Sequence, residues 1–353
     1  MFPRLNINVN KMYENTKYFV DLCHQNNIDL MTVTKSFCAD HKLAEAQVKA
    51  GTKYLADSRI QNLIKMSDLP VEKVLMRLPM HSEIEQVVRY ADISFNTELE
   101  TIKLLDADAK KQDKTHKILI MLDLGDLREG VLPEDIDVFV KSVLTFKNIK
   151  IVGFGVNLTC YGGIIPSEDN LGELVAISER LKEKFDLDLD IISGGNSSSL
   201  FLFDKNKMPK GVTNLRLGEA IVLGRETAYG HRIKETHDDI FVLEAEVIEL
   251  KTKGSIPKGE IGMDAFGNKP TFKDQGQILR GILAIGQQDV NPDGLTPLND
   301  KIEILGASSD HLLLNLEATE QEYEVGDTIQ FKVDYGALLK LTTSEYVDKK
   351  YIK

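Results

Sequence analysis

The chain has no tryptophan and only three cysteines, Cys23, Cys38 and Cys160. So few thiols, odd in number and widely spaced, give neither a disulfide framework nor a zinc knuckle, and they fit a reducing, cytoplasmic environment. Positive charge is also in short supply. Lys and Arg number 43 against 55 Asp and Glu, a formal net charge of −12. That balance argues against nucleic acid, whose backbone needs clustered cations, and against anionic membrane surfaces. No apolar run approaches the roughly 18 residues needed to span a bilayer. The opening residues alternate apolar and polar and lack the apolar stretch of a secretory signal. Seven histidines (24, 41, 81, 116, 231, 237, 311) are scattered without His-x-x-x-His or HExxH spacing, so no metal set stands out. A nucleophile elbow, a Walker loop and a dinucleotide fingerprint are absent as well.

What remains is an ordinary soluble composition, 42% hydrophobic and 28% charged over 353 residues, enough for one barrel and a smaller domain. Residues 5 to 9 alternate as a half-buried strand does. From Lys11 to Asn26, Met12, Thr16, Phe19, Val20 and Cys23 recur at helical spacing. Eight strands are then expected near Leu30–Thr34, Tyr54–Asp57, Val74–Leu78, Ile93–Phe95, Ile118–Asp123, Ile149–Gly155, Leu189–Ser193 and Asn214–Leu217. Amphipathic helices separate them, as at Ala39–Ala50, Ser82–Arg89, Glu98–Ala109, Asp135–Thr145 and Asn170–Lys184. Eight β/α units in roughly 200 residues imply a closed parallel (β/α)8 barrel of the TIM type, with an open doubly wound sheet as the alternative. After Arg232 the runs Ile240–Leu250, Gln277–Ile285, Lys301–Leu305, His311–Leu316 and Thr328–Val333 read as strands joined by Gly, Pro and Asp turns. The expectation is therefore an α/β barrel over 11–232 and a C-terminal all-β domain over 233–353, which the first ten residues join through their strand.

Each barrel strand exits on a polar or special residue: Lys35, Asp57-Ser58-Arg59, Arg77, Asn96, Asp123, Asn157, Ser193 to Asn196, and Arg216. Strand exits are where such barrels hold their active sites, so these residues read as one ring-shaped site. Lys35 ends an apolar run; its amine either attacks a carbonyl to form a Schiff base or merely caps the strand. In Ser193-Gly194-Gly195-Asn196-Ser197-Ser198-Ser199, glycines allow close backbone approach, and hydroxyls and N–H groups can face a phosphate. A plain helix N-cap is the other reading. Arg216 points inward and needs a partner, either a ligand or a structural salt bridge. Gly218 and Glu219 can add main-chain donors to the same phosphate. Arg128 on its glycine-bounded loop could grip a carboxylate with two prongs or pair with Asp126 or Glu129. Cys160 reads as an inert thiol, with no histidine near it in sequence.

Taken in order, several motifs resemble the alanine-racemase-like family of fold type III pyridoxal-phosphate enzymes, and within it the ornithine racemases. They are Thr34-Lys35-Ser36-Phe37-Cys38-Ala39-Asp40, Asp57 to Leu63, Leu124 to Gly130, Asn157 to Cys160, Ser193 to Ser199, Leu215 to Glu219, Gly306 to His311 and Asp334 to Leu339. The resemblance implies pyridoxal 5′-phosphate held by Lys35, which then also moves the substrate's α-proton. It places Arg216 at the pyridine nitrogen, keeping that nitrogen unprotonated. Ser197, with Ser193, Asn196 and the main chain of Gly218 and Glu219, would hold the phosphate, and Tyr335 would donate to it. Arg128 would meet the cofactor hydroxyl or substrate carboxylate, and Asn157 would lie beside the ring.

The chain departs from the alanine racemases where they carry a tyrosine as second base. Here the stretch reads Ala284-Ile285-Gly286-Gln287-Gln288-Asp289, and an amide has no pKa suited to that role. Asp289, Cys160, Tyr161 and Ser309 are the candidates to replace it, unless one lysine serves both faces. Ala39 stands where a bulky tyrosine follows the lysine motif, which points to a pocket wide enough for a longer side chain. The expected function is racemisation of a free amino acid. Ornithine is favoured, with alanine, lysine and arginine as alternatives. A D-amino-acid aldolase or dehydratase and a non-catalytic pyridoxal-phosphate carrier are the rivals. A head-to-tail homodimer is expected, with Gln287, Ser309 and Asp310 of one subunit reaching the partner's pocket.

Overall fold

Residues 1–352 are described by a computed structural model, in which the chain enters through strand β1 (Arg4–Asn8) and helix α1 (Val9–Gln25). Eight parallel strands follow: β2 (Asp29–Val33), β3 (Tyr54–Asp57), β4 (Glu72–Leu75), β5 (Ile93–Asn96), β6 (His116–Leu122), β7 (Ile149–Val156), β8 (Ile191–Ser193) and β9 (Asn214–Leu217). Each pairs with the next, and β9 closes on β2 in the register Asp29↔Asn214 to Thr32↔Leu217. The strand run is a TIM-type barrel, and the open-sheet alternative falls. Alternate residues of the strands, among them Met31, Val33, Ala56, Val74, Phe95, Met121 and Ile191, form one apolar cluster that fills the barrel. The residues between them face the surrounding helices, because strand side chains alternate.

Those helices are α2 (His41–Lys49), α3 (Ile60–Lys65), α4 (Ile84–Tyr90), α5 (Leu99–Lys111), α6 (Ile136–Val143), α7 (Glu168–Phe185), α8 (Phe201–Asp204) and α9 (Glu219–Leu223). Side-chain caps fix the starts of two of them. Asp40 caps α2 by accepting from the Leu43 N–H, and Ser167 with Asn170 forms a capping box on α7. The barrel unit runs from Val9 to Asp238.

A second unit combines Met1–Asn8 with the chain from Asp239 onward. Its strands are β10 (Phe241–Gly254), β11 (Gln277–Leu283), β12 (Leu295–Pro297), β13 (Glu303–Ala307), β14 (Leu312–Asn315), β15 (Thr328–Val333) and β16 (Asp348–Ile352), in the order β12-β15-β10-β11-β14-β13. β1 lies antiparallel to β10 and parallel to β16. This unit is strand-rich as expected, and it also holds one helix, α10 (Tyr335–Thr343), capped by Asp334, whose carboxylate accepts from the Ala337 N–H. No helix among the described residues is long and apolar enough to cross a membrane.

Candidate active site

Beyond Val33 the chain leaves the strand: Thr34 has φ −94° and ψ −3°, and Lys35–Phe37 form a single 3-10 turn. Cys38 and Ala39 both adopt left-handed backbone, each at φ 52°, which curls the loop back so that the Ala39 N–H reaches the Thr34 carbonyl at 3.2 Å. Lys35 therefore stands half-buried just past the carboxyl end of β2. Ala39 is only 2% exposed, so the expected widening of the pocket at that position gains no support from its burial.

Arg216, from β9, is 3% exposed. One guanidinium nitrogen donates to the Ser193 hydroxyl at 2.5 Å; the other donates to the Val156 carbonyl at 2.8 Å and to Asn157 Oδ1 at 3.2 Å. The guanidinium carbon lies 5.4 Å from the centre of the Phe95 ring. All of these partners are neutral, so the salt-bridge reading is not what the barrel builds. Burial brings the guanidinium down to about 10, and it stays protonated at neutral pH.

Asn157 relays this contact outward. Its Oδ1 also accepts from Asn196 Nδ2 at 3.2 Å, and its Nδ2 donates to Glu129 Oε1 at 3.1 Å. Glu129 in turn holds Arg128 with both carboxylate oxygens. Desolvation works against the Arg128 charge, but Glu129, Cys160 and Asp126 together offset it, leaving that guanidinium above its ordinary pKa. Of the two ion-pair partners open to Arg128, the chain uses Glu129. Asp126 serves a different purpose. It is 1% exposed and accepts the N–H groups of Cys160, Tyr161 and Ile164, clamping the loop after β6 to the loop after β7. Cys160 Sγ then sits 3.4 Å from Asn196 Nδ2 and 3.6 Å from Asn157 Oδ1. Desolvation raises the thiol's pKa, against the pull of Arg128 and Arg216.

The serine-rich loop closes the arrangement. Gly195 has φ +107°, a conformation that suits only glycine. Asn196 Oδ1 accepts from the Ser198 N–H at 2.8 Å, and Ser197 Oγ accepts from the Ala220 N–H at 3.1 Å, joining this loop to the start of α9. The Glu219 carboxylate is taken by Arg225 at 2.6 Å, so only its main chain is left to a ligand. Among the described residues, Ser198 Oγ is a buried hydroxyl without a hydrogen-bond partner. Hydroxyls, first-turn amides that a helix leaves unsatisfied, and a buried cation make a donor set that fits a phosphate-bearing pyridine cofactor.

Lys35, Arg128, Asn157, Ser193, Asn196, Ser197, Arg216, Gly218 and Glu219 thus all belong to the barrel unit, whereas Gln287, Ser309, Asp310 and Tyr335 belong to the strand-rich one. There, Gln287 Nε2 donates to the Ala307 carbonyl at 3.0 Å, and its N–H donates to the Ser308 carbonyl at 2.9 Å. Ser309 Oγ donates to Asp310 at 2.7 Å. This close approach depends on Gly286, where a Cβ would lie 2.3 Å from the Ser309 carbonyl oxygen. Tyr335 is the first residue of α10.

The expected ring of polar strand exits holds only in part. Phe95 and Ala56 face the barrel interior, so the next residues, Asn96 and Asp57, turn to the helix layer and are buried at 1% and 0% exposure. Arg77 is paired with Glu83 at 2.7 Å. Sequence reasoning missed the roles of Glu129 as the hinge of the Arg128–Asn157 contact, of Asp126 as a loop clamp, and of Ser198.

Residues 7–226 match the model of the alanine racemase N-terminal domain. The chain belongs to the alanine racemase family. It is 50% identical to the ornithine racemase of Acetoanaerobium sticklandii over 353 residues, covering 100% of both chains. It is 38% identical to the lysine racemase of Thermotoga maritima, covering 99% of both. The fold is that of the alanine racemase of Bartonella henselae, a crystal structure with covalently bound pyridoxal phosphate: TM-score 0.74 at 17% identity, covering 99% of each chain. Within this family fold, the cluster around Arg216 occupies the carboxyl ends of the barrel strands, where such barrels do their chemistry.

Proposed function

We propose that this chain is a pyridoxal 5′-phosphate-dependent amino-acid racemase acting on ornithine. Likeness to an ornithine racemase at 50% identity along the entire chain carries the reading. The donor set around Arg216 and the serine-rich loop supports it independently. The cofactor, when bound, draws electron density from the substrate's α-carbon and so acidifies its α-hydrogen.

The protein's own groups do the rest. Lys35 holds the cofactor through its amine, then takes and returns the α-proton on one face of the substrate. Arg216 faces the ring nitrogen and, as a donor without a carboxylate partner, leaves that nitrogen unprotonated. The unpartnered Ser198 hydroxyl, Ser197 and the main chain at Gly218 and Glu219 take the phosphate. Arg128, steadied by Glu129, meets the cofactor hydroxyl or the substrate carboxylate. On the opposite face the proton is handled by Cys160, whose Sγ lies at the barrel mouth 3.4 Å from Asn196 Nδ2 and 3.6 Å from Asn157 Oδ1. Of the other candidates, Asp289 accepts from Ser344 at 2.6 Å and Ser309 bonds Asp310 at 2.7 Å, both in the strand-rich unit, and Tyr161 is exposed, as Cys160 is. A head-to-tail homodimer, in which Gln287, Ser309, Asp310 and Tyr335 contribute across subunits, completes the reading, with the enzyme working in the cytoplasm.

The test is direct. Protein loaded with pyridoxal phosphate and treated with borohydride should carry a stable mass increment on the Lys35 peptide, and Lys35→Ala should carry none. L-Ornithine should lose optical rotation with D-ornithine as the sole product. Release of aldehyde or ammonia would instead identify an aldolase or dehydratase, and an unmodified Lys35 peptide in the wild type would end the proposal.

A further inference from the structure

The barrel contains a carboxylate that none of the chemistry above uses. Asp57, the last residue of β3, is 0% exposed and, among the described residues, has no cation against it. Burying an ionised carboxylate is costly unless donors surround it, and each donor then has a reason to be there. Here the two oxygens serve different segments. Oδ1 accepts from the Arg59 N–H at 2.9 Å and from Asn62 Nδ2 at 3.1 Å, which starts α3. Oδ2 accepts from the Thr34 hydroxyl at 2.6 Å, far shorter than the 3.4 Å from that hydroxyl to the Ala56 carbonyl, so the Thr34 proton goes to the carboxylate. Thr34 is the residue before Lys35.

The other end of the Lys35 turn is tied to the same group. Asn62, held by Asp57, accepts from Lys65 Nζ at 3.3 Å, and Lys65 Nζ also donates to the Cys38 carbonyl at 3.2 Å. The series Thr34–Asp57–Asn62–Lys65–Cys38 is a hydrogen-bonded brace around the short arc that carries the lysine. At the end of that arc stand two residues in left-handed backbone, Cys38 and Ala39, a conformation L-residues adopt only when surrounding contacts over-determine it.

We infer that Asp57 is a positioning residue for Lys35, acting chiefly through the Thr34 hydroxyl and secondarily through Asn62, Lys65 and the Cys38 carbonyl. Burial raises the carboxyl's pKa in spite of its donors, which agrees with a group kept for placement rather than for net stability. This inference rests on the reading of Lys35 as the cofactor lysine. The bland alternative is that Asp57 only holds the lead-in to α3, and the two oxygens separate the cases: Thr34→Val removes the Oδ2 arm and leaves the Oδ1 contacts to Arg59 and Asn62 in place.

The experiment compares full-length wild type, Thr34→Val, Thr34→Ser, Asp57→Asn and the Thr34→Val/Asp57→Asn double variant. For each, the dissociation constant of pyridoxal phosphate, the rate of borohydride trapping at Lys35 by peptide mass, and the thermal midpoint of the cofactor-free protein are measured. Loss of one buried bond to a charged group predicts about ten- to a hundredfold weaker cofactor binding and slower trapping in Thr34→Val. Thr34→Ser should remain near wild type, and the double variant should be no worse than the poorer single, because both changes break one contact. Should Asp57→Asn fail to fold, the Thr34 pair still decides. Wild-type trapping rates and cofactor affinity in Thr34→Val, with only the thermal midpoint lowered, would overturn the inference. Failure of wild-type Lys35 to be trapped at all would instead overturn the cofactor reading, so the two failures are distinguishable.

Discussion

Arg216 offers a sharp separation of function from stability. Its guanidinium is 3% exposed and has only neutral partners, and burial brings it well below its ordinary value, to about 10. A cation whose folded pKa is lowered destabilises the folded state at every pH below that folded value, where the protein must hold the charge without water. The shift corresponds to about 3 kcal/mol at neutral pH. Replacement by methionine relieves that cost. It also removes the guanidinium donor from the Val156 carbonyl, at about 1–3 kcal/mol for an acceptor left without a donor, while Asn157 Oδ1 keeps its bond from Asn196 and the Ser193 hydroxyl keeps its bond to Asn214. The opposing contributions are of similar size. Arg216→Met should therefore unfold in urea, as the cofactor-free protein, within about 2 kcal/mol of wild type. Its racemisation of ornithine should fall by about a hundredfold or more, the scale on which one oriented electrostatic contact matters in a catalytic site. Arg216→Lys should not rescue activity, since an ammonium cannot reproduce the fork to Ser193, Val156 and Asn157. A destabilisation well above about 3 kcal/mol would make Arg216 a structural clamp. Near-normal turnover with intact folding would remove it from the ring nitrogen.

His116, 3% exposed and 2.8 Å from Ser94 Oγ, is brought by burial to about 4. Protonation then favours the unfolded chain, so the contribution is intact above about pH 6.5 and is lost as pH falls toward 4, amounting to about 3 kcal/mol. Urea unfolding at about pH 7 and about pH 4 should show that loss in wild type and a shallower one in His116→Gln; equal slopes would refute it. Cys160, the exposed thiol among three cysteines, should react with iodoacetamide in cofactor-free protein and be protected by pyridoxal phosphate plus ornithine. In Cys160→Ala, deuterium from solvent should still enter one enantiomer of ornithine while racemisation stops; exchange into both would return the second face to Lys35. Gly195→Ala, at φ +107° with its Cβ 2.7 Å from Ser199 Oγ, should cost about 1–3 kcal/mol and weaken cofactor binding, and an unchanged dissociation constant would detach the loop from the phosphate.

What the sequence discloses and what it hides follow from how local each signal is. The placement of Lys35, Ser193 and Arg216 at or beside strand ends was legible because short strand-forming runs carry them there, and the end of a barrel strand is where such folds place function. The serine-rich loop was legible because glycines and caps are local chemistry. By contrast, the side of the sheet that Asp57 and Asn96 face depends on strand parity. One residue's uncertainty in a strand end moves a side chain from the mouth to the helix layer. The choice of Glu129 over Asp126 for Arg128 was beyond reach for another reason: it is decided by the loop after β7, whose Cys160, Tyr161 and Ile164 amides claim Asp126 first. Helix α10 escaped because nine residues in a strand-rich region carry little period, although Asp334 before Tyr335-Gly336-Ala337 is a usable cap signal. The residues hidden in this way are those that act through others. Asp57 touches no expected ligand, and it is found only when the partners of Thr34 are traced in three dimensions. A barrel of this kind therefore exposes its strand-end candidates to a sequence reading and conceals the buried polar groups that hold the strand-end turns. Holding them depends on contacts between neighbouring strands that are far apart in the chain, as Thr34 and Asp57 are at a separation of 23 residues.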